Sequence, residues 1–204
     1  MNAIRRPVAA GVLLLGALVA PAVQAWSLSI APASRRVFLH VGNGTREANN
    51  ATINLVQVTV PGAVLGSGAA QAMSTNSTQS ASLYDGFITC ATPASQILVG
   101  ASYRRSNAAN GPASATLSVT SPANLTSSAG DTLPFNRISW TVAAPGSPVP
   151  NVIPAGTFNG GTQTLATVPA NTYIENCHSF SYANSTLPAA GTYNGRVTYT
   201  LSSP

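Results

Sequence analysis

Reactive chemistry in this 204-residue chain rests on few side chains: four carboxylates, Glu47, Asp85, Asp131 and Glu175, two imidazoles, His40 and His178, and two thiols, Cys90 and Cys177. Hydrolysis by paired carboxylates needs two acids converging on one bond. Each acid here stands alone in the sequence, with Asp85 and Asp131 in turn-like surroundings. A thiol dyad at Cys177-His178 fails on geometry, because adjacent residues of a strand point to opposite faces; Glu175 and Cys177 would share one. The chain has no Lys and no Gly-x-Ser-x-Gly elbow, which removes Schiff-base, Ser/Lys and hydrolase-type nucleophilic chemistry. Two His and two Cys without a characteristic spacing do not make a metal site. The expectation is a protein that is not an enzyme and holds no cofactor or metal.

Composition points the same way. Charged residues are 6% of the chain, against about 25% in an average soluble protein. A surface so poor in charge is covered by Ser, Thr, Asn, Gln and backbone amides, which excludes coiled coils, ordinary helical bundles and disordered polyelectrolytes. The formal charge of +5 comes from nine Arg. Arg5 and Arg6 belong to the leader described next, and without them the balance is +3. The others, at 35, 36, 46, 104, 105, 137 and 196, are scattered in sequence and not interleaved with aromatics, so nucleic acid is not an expected partner.

Residues 1–25 read as a secretory signal peptide. A positive start through Arg6 is followed by a 13-residue run of small apolar residues, Val8 to Ala20, and by small residues before Trp26. Cleavage falls between Ala25 and Trp26. The run is too short to span a membrane, which takes about 20 apolar residues, and no Cys follows for a lipid anchor. The expected route is the general secretory one, to the periplasm and then the cell surface or medium. Ser34-Arg35-Arg36-Val37-Phe38-Leu39 imitates a twin-arginine signal but leads into a polar stretch. In an oxidising compartment a single Cys90–Cys177 disulfide is the natural pairing, with two buried thiols or an intermolecular bridge as alternatives. Closing so long a loop stabilises by up to roughly 4.6 kcal/mol in the chain-entropy model.

The elements that would position these residues alternate with period two. Trp26, Leu28 and Ile30 interleave with Ser27 and Ser29. The pattern recurs at Val37, Leu39 and Val41; at Val56, Val58 and Val60; at Ile97, Val99, Ala101 and Tyr103; at Leu117 and Val119; and at Ile138, Trp140 and Val142. It closes with Tyr193, Gly195, Val197, Tyr199 and Leu201, read as one continuous strand. Such alternation marks antiparallel strands with one face on a core. Pro, Gly, Asn and Ser clusters between the runs supply turns. Residues 62–82 read as a long loop with room for a short strand, and 143–155, with four Pro, as a surface excursion. The fold class predicted is all-β: an immunoglobulin-like antiparallel β-sandwich with one disulfide, a single domain over 26–204.

The closing segment Ala190-Gly191-Thr192-Tyr193-Asn194-Gly195-Arg196-Val197-Thr198-Tyr199-Thr200-Leu201 resembles the end of bacterial chaperone/usher pilus subunits and of spore coat protein U-like secreted proteins, which finish with a Gly-Thr-aromatic turn feeding an alternating strand. The resemblance implies a fibre (fimbria) subunit whose sandwich lacks a strand and is completed by the extended N-terminus of a neighbour. Its partners would be copies of itself or related subunits, with a periplasmic chaperone and an outer-membrane usher. On this reading Trp26, Leu28 and Ile30 are the inserted strand, and Tyr193, Val197, Tyr199 and Leu201 border the site it enters. The same N-terminal residues could instead form the first strand of their own sandwich. The alternative function is a secreted adhesin or carbohydrate-binding module. In it Tyr84, Tyr103 and Phe158 would be free to stack on sugars, while Trp140 belongs to the core. Asn43, Asn50, Asn76, Asn124 and Asn184 each open an Asn-x-Ser/Thr triplet, as expected in a chain so rich in these residues.

Overall fold

A computed structural model describes residues 27–44, 53–84, 86–107, 111–143 and 152–204. The leader, Trp26, Glu47, Asn50, Asp85 and most of the Pro-rich excursion lie outside the described residues. The chain is an all-β sandwich. Its first sheet is built on one long strand, β13 (Thr172–Ala183), taking strand numbers in chain order. Along one edge of β13 run β10 (Ile138–Ala143) and β1 (Ser27–Ser29), end to end; along the other run β6 (Ile97–Arg104) and β4 (Ala70–Ala72). The sheet is completed by β2 (Arg36–Val41) beyond β6 and β11 (Gly156–Thr157) beyond β10. All of these pairs are antiparallel.

The facing layer has two parts. In one, β7 (Ser114–Thr120) lies between β12 (Thr162–Pro169) and β15 (Thr198–Ser202); in the other, β8 (Asn124–Ser127) lies between β9 (Thr132–Pro134) and β14 (Tyr193–Asn194). A separate pair joins β3 (Val56–Gln57) to β5 (Ser74–Thr75). Between the layers, alternate residues of each strand make the core: Val99 and Ala101 of β6, Leu117 and Val119 of β7, Trp140 of β10, Ile174 and Phe180 of β13. Trp140 is a core residue, its indole Nε1 donating to Pro154 O at 2.9 Å.

Three expectations change here. The closing strand is not continuous: it is interrupted at residues 195–197 between β14 and β15, because its partner chain breaks between β7 and β8 as well. At Gly195 a Cβ would fall 2.6 Å from the Phe135 ring and 2.7 Å from a Leu125 methyl, so any side chain here would have to displace these core residues. The Val56, Val58 and Val60 alternation yields only the two residues of β3 in ladder pairing. Residues 62–82 are more ordered than a loop, with β4, β5 and a 3₁₀ turn at Gly62–Val64. From the Pro-rich excursion the chain returns at Ile153, fully buried, whose N–H donates to Asn176 Oδ1 at 2.9 Å.

The outer face of the first sheet is also covered. Cys90 and Cys177 are bonded, with Cα atoms 5.5 Å apart, and pack with Leu98. The bridge pins the segment before Cys90 across β13. Beneath that segment Glu175 is fully buried, accepting from Thr89 Oγ1 and Tyr173 O–H, and Tyr84 stacks on Tyr173 with ring centroids 4.4 Å apart. Gly100, between them on β6, leaves the space that the Tyr173 hydroxyl fills.

Candidate functional site

The layers do not close on each other everywhere. Between residues 53–60 and 188–199 the core is open along a groove of about 1130 Å³. That exceeds the roughly 300–1,000 Å³ typical of small-molecule sites. The floor is core side chains from both layers, among them Met73, Ile97, Phe135, Phe158, Phe180 and Tyr182. One rim alternates in burial, with Val56, Val58 and Val60 half-buried and packed on the core while Leu55, Gln57 and Thr59 are exposed. The opposite rim alternates in burial too: Tyr193, Val197 and Tyr199 line the groove half-buried, while Thr198 and Thr200 are exposed.

Both rims are sheet edges. β3 is paired with β5 and β15 with β7, each along one side only among the described residues. The groove therefore offers backbone donors and acceptors on both rims and apolar pockets between them, the requirements for accepting an extended strand. The edge at β12 differs. A bulge between Thr164 and Ala166 and the terminal Pro169 interrupt its ladder, devices that discourage edge pairing. Just before β2, Arg35 ties that segment to the chain after β15, donating to Ser203 Oγ at 2.9 Å and to Pro204 O.

Asparagines hold the first rim in place. Asn76 Oδ1 accepts from Leu55 N–H at 2.8 Å, Asn54 Oδ1 from Asn43 N–H at 3.0 Å, and Asn43 Oδ1 from Thr78 N–H at 2.8 Å. Asn184, fully buried, accepts from Gly66 N–H at 3.0 Å and donates to Val64 O. Asn43, Asn76 and Asn184 are thus structural ties that satisfy loop backbone groups. On the second rim Tyr193 O–H donates to Ala189 O at 2.8 Å, which fixes the Gly-Thr-Tyr turn.

Below the groove floor lies His178, on the inner face of β13. Its ring is parallel to Trp140 with centroids 6.4 Å apart and meets Tyr199 edge-on at 6.3 Å. It is fully buried, and among the described residues neither ring nitrogen has a hydrogen-bond partner. Burial pushes its pKa down to about 3. The Tyr199 phenol is held above its ordinary value by burial. His40, buried on the outer face, is lowered by burial against the opposing effect of its contacts with Gly44 and Gly42; its Nε2 lies 3.0 Å from Gly44 O.

The predicted site residues divide accordingly. Tyr193, Val197 and Tyr199 line the groove, and Leu201 packs half-buried on the core beside it. Leu28 is exposed on β1 opposite Tyr173, while Ile30 is buried, its N–H donating to Asn171 O at 2.9 Å. In this structure the N-terminal segment therefore pairs with its own β13. The stacking platform expected of a carbohydrate module is not available: Tyr103 and Phe158 are core residues, and Tyr84 is half-buried against Tyr173. Sequence reasoning treated Val56, Val58 and Val60 as an ordinary strand and so missed one whole rim. Their alternation is visible; that β3 is paired along one side only among the described residues has no local signature.

Among the described residues no three His, Cys, Asp or Glu side chains gather as a metal site, and no helix is long and apolar enough to cross a membrane. No family model matches this chain, and neither curated proteins nor solved structures include a match to it.

Proposed function

We propose that this chain is an exported structural subunit of a bacterial surface fibre, assembled by strand complementation between copies. The observation that carries the reading is the apolar groove between 53–60 and 193–199, bordered by the one-sided strands β3 and β15. An inserted strand would extend the backbone ladders of both rims and bury alternate apolar side chains over Phe135 and Phe180. Burial contributes about 25 cal/mol per Å² of apolar surface removed from water.

The occupant is the N-terminal segment of a neighbouring copy, Trp26 to Ile30. Its alternation matches the groove, and it is held at home by the three residue pairs of β1 and by the buried Ile30, whose N–H donates to Asn171 O, with Leu28 left exposed. Leaving β13 forfeits one short ladder and one buried side chain, and entry into a groove gains two ladders. Export, a periplasmic chaperone and an outer-membrane usher belong to the same proposal.

Electron microscopy of material sheared from the producing cells tests it, and fibres containing this chain are expected. A chain lacking Trp26 to Ile30 should stay folded and form none. A shortened chain that unfolds would place the segment in its own core and refute the exchange.

A further inference from the structure

Arginines that are far apart in sequence meet in space. In the register of β2 against β6, Arg36 lies directly opposite Arg104, with side chains on the same, outer face of the sheet. Arg35 and Arg105 adjoin them. Four of the seven arginines outside the leader thus crowd one end of the sandwich, in a chain with only four carboxylates. Of those carboxylates, Glu175 is buried and Asp131 sits in the turn between β8 and β9, bonded to Ser127; Glu47 and Asp85 lie outside the described residues. Like charges directly opposite across a ladder are destabilising, and protein surfaces ordinarily intersperse the two signs.

The arginines differ in what holds them. Arg104 donates to Tyr84 O–H at 3.1 Å, and Arg105 donates to Gly111 O at 2.5 Å and is anchored by its N–H to Asn171 Oδ1 at 2.9 Å. Arg36 is exposed and makes no hydrogen bond or ion pair among the described residues. Guanidinium groups fixed on a rigid sheet end suit planar bidentate recognition of oxyanions. Around them lie neutral hydrogen-bonding side chains, Ser34, Ser106, Asn107 and Thr172, which are exposed or half-exposed. On the same face Phe38, two residues along β2 from Arg36, is half-buried, and Tyr84 is already stacked on Tyr173 and so offers no free platform for a base.

We propose that this end of the sandwich binds an anionic polysaccharide, a sugar chain bearing carboxylate or sulfate groups. Its acidic groups would pair with Arg36, Arg104 and Arg105, and its hydroxyls with the neighbouring Ser, Thr and Asn side chains. Arg36 and Arg104 lie on the outer face of the sheet and Arg105 follows at its end, away from the groove between the layers, so the site does not depend on fibre assembly.

The test is titration of the purified chain with heparin and with polygalacturonate at low ionic strength. Double-stranded DNA and anionic phospholipid vesicles are run in parallel. Binding to at least one polysaccharide is expected, weakening as salt screens the charges. Arg36→Ser with Arg105→Ser should weaken it about tenfold or more. The control Arg137→Ser with Arg196→Ser removes the same charge elsewhere and should change it less than about twofold; thermal melts confirm that both variants are folded. Equal losses in the two double variants would reduce the effect to net charge and overturn the proposal. So would no binding to either polysaccharide, or tighter binding to DNA or vesicles than to both.

Discussion

Val197→Arg is expected to leave the monomer folded and to abolish assembly, lowering the affinity of the groove for an inserted strand at least about a hundredfold. Val197 is half-buried on the groove wall. In the open monomer a long arginine stem can lie along the groove with its charge in water. An inserted strand would cover that charge without a partner, at a cost of several kcal/mol, and each 1.4 kcal/mol is tenfold in affinity. Val58→Arg on the other rim should act alike. The period of the strand supplies the control: Thr200 is exposed and lies outside the groove lining, so Thr200→Arg should assemble normally. Fibre yield and size-exclusion profiles of the three variants read this out. Normal fibres from both valine variants would mean that nothing enters the groove.

Acid should weaken the fold through His178, by an amount comparable with the disulfide. An imidazole whose pKa falls from 6.5 to about 3 on folding is neutral in the native state and charged in the unfolded state between those values. The unfolded chain then binds more protons, so stability rises with pH across that window. The contribution is fully present above pH 6.5 and is lost progressively as pH falls toward 3. At pH 4.5 the loss is about 3 kcal/mol, and over the whole window about 5 kcal/mol. His40, also lowered, adds in the same direction. His178→Leu removes the larger part of this dependence. It should also stabilise the protein near pH 7.5 by about 1–3 kcal/mol, because it deletes a buried ring with no hydrogen-bond partner among the described residues. Urea denaturation of both chains at pH 7.5 and 4.5 measures the difference. A variant that loses as much stability as the parent between these values would show that His178 is not the titrating group.

Much of the sandwich is legible in the sequence because its strands have one buried face. β2, β6, β7 and β10 all fall on runs whose alternation marks them. The central strand is the hardest to read. In β13 the seven residues from Tyr173 to Ser179 include only one that is not buried, Ser179, because the core covers one face and the disulfide-pinned segment covers the other. A strand buried on both sides loses its alternation. β8, β9 and β12 escape for a different reason: they are short or bulged, and their Thr and Ser residues blur the pattern.

The site was half legible. The closing run pointed to Tyr193, Val197 and Tyr199, yet its interruption at Gly195 depends on Phe135 and Leu125, sixty and seventy residues earlier in the chain. The open groove depends on β3 and β15 each being paired along one side only among the described residues, which no local pattern can register. The arginine cluster was invisible for a related reason: pairs that look scattered at 35–36 and 104–105 become neighbours only through the register of β2 on β6.

Amide hydrogen exchange on the monomer and on the assembled chain is the most direct test of the missing-strand account. Assembly is expected to slow exchange at least about a hundredfold at groove-facing amides within 53–60 and 193–199, while the amides that tie β7 to β12 and β15 stay as they were. Unchanged exchange along both rims in assembled material would contradict it.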